Sequence, residues 1–237
     1  MLSPIREFAA RFRSHWRLLS VLLVGALALW GFLELADEVA EGEMQALDER
    51  LLLALRDADD PAEPVGPRWL EELMRDFTAL GGVGVTTLIT VFAAGLLWLQ
   101  DKRRVATLLL VAVVGGTLLG LLLKSGFDRP RPDLVPHGSH VYTRSFPSGH
   151  SMTAAVVYLT LGATVAAAQR GRRLRWFVMG SAVLVTVAVG MSRVYLGVHW
   201  PTDVLAGWAI GVAWAIVSWL AVTTLARGWG ERGDGAP

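Results

Sequence analysis

The sequence predicts an all-α membrane protein, a bundle of six transmembrane helices with short helices at its outer surface. Three observations predict it. The 237-residue chain is 53% hydrophobic even with its 25 glycines left out of the count, above the level of soluble domains. The apolar residues are gathered into long runs with few charges, which is the pattern of spans and not of a soluble core. Basic clusters recur between alternate runs, as cytoplasmic loops of a multi-pass protein do.

The spans lie at about Leu18–Leu35, Val83–Leu99, Val105–Leu123, Ser151–Ala168, Trp176–Met191 and Val204–Leu225. Each approaches the ~20 residues that cross a bilayer core. The first run is long, and Glu34–Ala40 lacks a small-x-small cleavage site. We therefore expect a retained anchor and not a signal peptide. The chain reads as one membrane domain over residues 1–237, without an internal repeat.

Orientation follows from the basic residues. Arg6, Arg11, Arg13 and Arg17 precede the first span. Lys102–Arg104 separate spans two and three. Arg170, Arg172, Arg173 and Arg175 separate spans four and five, and Arg227 and Arg232 follow span six. Six spans put all four segments on one side, which the positive-inside rule makes cytoplasmic. Both termini are then cytoplasmic. Spans three and five end outside, and spans four and six begin there.

The segment 37–80 is acidic and carries two helical patterns. Met44, Leu47, Leu51 and Leu55 form one; Trp69, Leu70, Leu73, Met74, Phe77 and Leu80 form the other, with Pro61, Pro64 and Pro67 between them. Two arrangements fit: amphipathic helices lying on the outer membrane surface, or a small cap packed on the bundle.

The net charge of +1 excludes nothing about partners and gives no sign of nucleic-acid binding. The absence of cysteine excludes disulfides, thiolate catalysis and Cys-based metal sites. His137, His140, His150 and His199 match no metal-binding spacing, and no carboxylate cluster accompanies them. No metal or other cofactor is expected, and His137 and His140 read as loop residues.

Three segments carry chemistry: Lys124-x6-Arg131-Pro132, Pro147-Ser148-Gly149-His150, and Arg193-x5-His199-x3-Asp203. On the predicted topology all three meet at the outer ends of spans three to six, the first and second joined by the 124–150 loop. That loop also carries Arg129 and Arg144. Its basic character runs against the orientation rule, and an anionic ligand is the simplest cause. Arg131 offers a planar fork to phosphate oxygens and Lys124 a point charge; taken singly, each also fits interfacial snorkelling. Ser148 fits a helix N-cap, followed by amides free to bind phosphate, with Gly149 permitting close approach. An ordinary capped helix with a surface His150 has the same pattern. Pro201 suits a first helical position. Asp203 then reaches back as a capping acid, and it can also orient His199 by accepting the proton of one ring nitrogen.

In this order and spacing the three segments resemble the signature of the type-2 phosphatidic acid phosphatase family, and no motif position departs from it. The resemblance implies a lipid phosphatase. It implies His199 as nucleophile through a phosphohistidine, Asp203 as its orienting base, and His150 as proton donor to the leaving group. Lys124, Arg131, Arg193, Ser148 and the Gly149 amide would bind the phosphoryl oxygens, without a metal. A site at the outer interface suits phosphatidate, phosphatidylglycerol phosphate or polyprenyl diphosphates. Rival readings are a lipid phosphotransferase using the same residues and a non-catalytic lipid-binding membrane protein.

Overall fold

The computed structural model describes residues 3–139 and 143–233. Eight helices follow one another among these residues: α1 (Ser3–Glu41), α2 (Gln45–Leu53), α3 (Arg68–Leu80), α4 (Val83–Leu99), α5 (Arg103–Gly126), α6 (Gly149–Ala167), α7 (Arg172–Tyr195) and α8 (Pro201–Gly233). No β-strand occurs among the described residues; a lone bridge joins Arg56 and Pro64. Five helices are long and apolar enough to cross a membrane. The α3–α4 pair, bent by 50° at Gly81–Gly82, would make a sixth. The chain is an integral, multi-pass, all-helical membrane protein.

Apolar side chains on both surfaces of the bundle are expected where lipid replaces water. Leu88, Phe92, Leu99, Leu121, Leu122, Phe177 and Leu184 are all more than half exposed. The interior is built from smaller residues that let backbones approach. Gly116 faces Val156 and Trp214, Gly120 faces Met152, and Gly207 and Gly211 face Ser148, Met152 and Ala155. The two small-x3-small pairs thus serve internal packing. A Cβ on Gly211 would lie 2.6 Å from Ala155 Cβ and 2.9 Å from Met152 O. Only glycine allows α8 to sit this close to α6.

Helix α6 contains one π-helical turn, Ala155–Leu159. Such a turn inserts an extra residue and commonly lies near a functional site. Here Tyr158, on that turn, donates its hydroxyl to Leu80 O at 2.8 Å. The end of α3 is thereby tied to α6.

Two sequence expectations need correction. The first helix does not end at Leu35 but runs to Glu41. Ala36 and Val39 pack into a cluster with Phe32, Phe146, Met152, Val156, Ala206 and Ile210, so the helix has a face to bury beyond the span. Asp37 and Glu38 consequently lie on that helix and not in a loop.

The second correction concerns α2. The pattern of Met44, Leu47, Leu51 and Leu55 singled out the wrong face. Leu47 and Leu51 are exposed, whereas Asp48 and Leu52 are completely buried. The helix packs as a cap, with Leu52 against Val135, Val194, Trp200 and Val204. A polar residue can occupy the inward face because partners await it there. Helix α3 also packs on the bundle: Leu70 and Met74 meet Tyr195, Leu196 and Val198. Of the two arrangements left open, packing on the bundle is the one observed.

Candidate active site

One cavity of ≈ 360 Å³ brings together the ends of four helices. Lys124 comes from the last turn of α5, Gly149 and His150 from the start of α6, and Arg193 from the last turn of α7. Arg131 and His199 enter from the loops before α6 and α8. The cavity continues past Gly116, Thr117, Gly120 and Leu121 of α5 and past Val83 of α4. Its polar end thus merges into an apolar groove.

The residues Thr143–Ser145 shape the polar end. Lys124 Nζ donates to Arg144 O at 2.9 Å and to Thr143 Oγ1 at 3.3 Å. Arg131 Nε donates to Thr143 O at 2.7 Å, and its Nη1 to Val198 O at 2.6 Å. Backbone carbonyls hold the two cations in place without neutralising them. Arg193 is almost fully buried and donates Nη1 to Thr78 Oγ1 at 2.6 Å. Its Nε has no partner. A buried guanidinium with open donors is costly unless an anion completes it.

His199 lies next to these cations. Arg131 Nη1 is 3.2 Å from His199 Nε2, while His199 Nδ1 is 3.3 Å from Asp203 Oδ2. Guanidinium is a donor only. The Nε2 lone pair must therefore face Arg131, and the ring proton sits on Nδ1 toward Asp203. Burial holds the His199 pKa well below the ordinary imidazole range, and Arg131, Arg193 and Lys124 push the same way. The ring is neutral, with its free nitrogen in the cavity. The Arg131 pKa is also pushed down by burial, opposed by Asp203, but guanidinium starts high enough to stay charged.

Asp203 is fully buried and fully engaged. Its Oδ2 accepts the Trp200 amide at 3.0 Å and the Ser145 hydroxyl, and its Oδ1 accepts Arg129 Nη1 at 2.8 Å. Both expected uses of this residue coincide: it caps α8 and faces His199. Ser145 Oγ also lies 3.3 Å from His199 Nδ1.

Ser148 caps α6, its Oγ accepting from Ser151 N at 3.4 Å and from the Ser151 hydroxyl at 2.9 Å. Its own hydroxyl proton remains available, but the residue is fully buried and does not line the cavity. Its amide donates to Asp203 O at 2.9 Å, which ties the second segment to the third. Gly149 lies against the Lys124 stem, where a Cβ would meet Cε at 3.3 Å. His150 shares the cavity with His199.

The four cations of the loop do not act alike. Lys124 and Arg131 face the cavity, but Arg129 pairs with Asp48 and Asp203, and Arg144 pairs with Asp128 at 3.0 Å. An anionic ligand is thus not what accounts for Arg129 and Arg144. His137 Nε2 is 2.6 Å from Pro132 O, within the loop. His140 lies outside the described residues. Among the described residues no three His, Asp or Glu side chains gather as metal ligands would.

Sequence reasoning missed Asp48, Thr78, Thr143 and Ser145. Asp48 and Thr78 sit on helices remote in sequence from the motifs. Only the need of buried Arg129 and Arg193 for acceptors pointed toward them.

A bundle of membrane helices enclosing buried cations and a neutral, carboxylate-paired histidine defines a class: integral-membrane proteins that handle phosphoryl groups. Comparison with known proteins narrows this class. Residues 105–227 match the model of the PAP2 superfamily. Phosphatidylglycerophosphatase B of Bacillus subtilis is 35% identical over 188 residues, 76% of this chain and 86% of that protein. Undecaprenyl-diphosphatase of Sulfolobus acidocaldarius is 29% identical over 145 residues, 59% of this chain and 61% of that protein. The crystal structure of a transmembrane PAP2-type phosphatidylglycerolphosphate phosphatase from Bacillus subtilis superposes with a TM-score of 0.72. It shares 29% identity and covers 88% of this chain and 96% of its own. The chain belongs to the PAP2 superfamily and is a phosphoric-ester hydrolase of that family.

Proposed function

We propose that the protein hydrolyses the phosphate or diphosphate headgroup of a membrane lipid through a phosphohistidine on His199. The observation that carries this reading is the orientation of His199. Its Nε2 faces Arg131 and its Nδ1 faces Asp203, which is the arrangement of a nucleophile and its orienting base.

In the first step Nε2 attacks phosphorus and the bond from phosphorus to the leaving oxygen breaks. His150, across the cavity, gives that oxygen a proton. Asp203 stabilises the ring proton on Nδ1 as the imidazole gains positive charge. In the second step water attacks phosphorus, His150 takes a proton from it, and the phosphorus–nitrogen bond breaks to release phosphate. Lys124, Arg131, Arg193 and the amides at the start of α6 bind the phosphoryl oxygens, with Ser148 holding that helix start. Fixed cations stabilise the developing charge.

A lipid substrate is supported by the apolar groove between α4 and α5, which continues from the phosphate end. The relatives named above act on phosphatidylglycerophosphate and undecaprenyl diphosphate. We place the site on the extracytoplasmic face and both termini in the cytoplasm, because the basic clusters gather at the opposite ends of the spans.

The test is hydrolysis of phosphatidate, phosphatidylglycerol phosphate and undecaprenyl diphosphate by purified protein in detergent with a chelator, compared by kcat/KM. His199→Ala is expected to be folded and inactive. Near-normal turnover in that variant would remove the nucleophile. Cysteine labelling at Ser139 from the cytoplasmic side only would reverse the orientation.

A further inference from the structure

A second buried carboxylate lies behind the His199–Asp203 pair. Asp48, on α2, is completely buried. It belongs to none of the three segments and lies outside the residues that match the family model. Its Oδ1 accepts the Thr202 amide at 2.9 Å. Its Oδ2 accepts Arg129 Nη2 at 2.6 Å and the Thr202 hydroxyl at 2.5 Å. Arg129 completes the connection, donating Nη1 to Asp203 Oδ1 and to Thr202 Oγ1, both at 2.8 Å. The guanidinium also stacks over Trp200, 5.6 Å from the ring centroid.

The result is a buried chain of carboxylate, guanidinium and carboxylate that ends at the base of the histidine. Such ion pairs add little net stability, since desolvation offsets the attraction. What they do supply is geometry. Arg129 paired with Asp203 alone would be free to draw that carboxylate away from His199. Asp48 takes the other half of the fork and keeps Arg129 at a fixed distance. It also binds a first-turn amide of α8, where a negative charge is favoured, and Asp203 sits in that turn.

We propose that Asp48 is a positioning residue for phosphoryl transfer, fixing the Asp203 carboxylate against His199 through Arg129 and the first turn of α8. The proposal rests on the reading of His199 and Asp203 given above. It makes α2 part of the active site's support and not merely a cap.

The test uses full-length protein in detergent with phosphatidate in mixed micelles. Asp48→Asn is expected to lower kcat by about 10²-fold, the scale of a small misplacement of reacting groups. KM should stay unchanged, because Asp48 touches no phosphate-binding cation. Arg129→Gln should do the same. The double variant should lose less than the product of the two single losses, since the residues act as one unit. Folded Asp48→Asn with wild-type kcat, or a purely multiplicative double variant, would overturn the proposal. His199→Ala separates the two levels: if it stays active, the nucleophile assignment fails first. If it is inactive while Asp48→Asn turns over normally, only the role of Asp48 fails. Should Asp48→Asn not fold, Thr202→Val carries the test. It removes the hydroxyl between Asp48 and Arg129 and keeps every charge. Lower kcat at unchanged KM, restored by Thr202→Ser, is expected; wild-type kcat in Thr202→Val would overturn the proposal.

Discussion

Gly81 lies directly against His150. A Cβ built on Gly81 would stand 3.3 Å from His150 Cβ, 3.2 Å from His150 O and 2.4 Å from Val189 Cγ1. The bend between α3 and α4 is thus the wall behind the proposed proton donor. Gly81→Ala is expected to destabilise the protein by about 1–3 kcal/mol through overpacking. It should also lower kcat, because the backbone of His150 is one of the atoms that must yield. Thermal melts and steady-state kinetics on the same preparation check both; a variant with unchanged kcat would show that His150 tolerates the shift.

Asp203→Asn removes the charge that holds the Nδ1 proton of His199. The Asn oxygen can still accept the Trp200 amide, so the start of α8 should survive. We expect kcat to fall by about 10²–10⁴-fold, as for loss of an orienting carboxylate in acyl transfer. Substrate affinity should be nearly kept. A rate close to wild type would leave Asp203 as a helix cap only.

Thr78 supplies the hydroxyl acceptor for Arg193 at 2.6 Å. Thr78→Val keeps the volume and leaves that guanidinium nitrogen without its acceptor. A hydrogen bond to a charged group is worth about 1.5–3 kcal/mol. Part of that loss should appear as a higher KM for the lipid phosphate, with a smaller effect on kcat. Thr78→Ser should restore it. Equal KM values in all three proteins would separate α3 from phosphate binding.

The buried state of His199 also predicts how stability depends on pH. Its folded pKa lies well below that of the unfolded chain. Above about pH 6.5 the ring is neutral in both states and contributes no pH dependence. Below it the unfolded chain binds a proton that the folded protein does not. Stability then falls by up to about 1.4 kcal/mol per pH unit until the folded pKa is reached. Melting temperatures between pH 8 and pH 5 should drop less steeply in His199→Ala than in wild type. An identical slope would mean that His199 already titrates normally in the folded protein.

Much of this architecture was legible in the chain itself. The apolar runs predicted the spans because a membrane helix must satisfy its backbone internally and clothe itself in apolar side chains. Helix α4 matches its expected bounds, but α1, α5, α7 and α8 overrun theirs at both ends, and that matters locally. Lys124 and Arg193 turn out to be held on the last turns of α5 and α7. Asp203 was legible as a capping acid, since Pro201 announced the start of the helix.

What the sequence by itself determined was the local chemistry: which helices form and which three segments carry cations and imidazoles. These depend on interactions within a few residues. Only the tertiary structure decided which face of α2 turns inward, that Arg129 serves Asp203 and Asp48 while Arg131 faces His199, and that Thr78 holds Arg193. Arg129 and Arg131 are two residues apart and chemically identical. Their roles separate because a buried charge must find its partner in space, and those partners, Asp48 and Asp203, are 81 and 74 residues away along the chain.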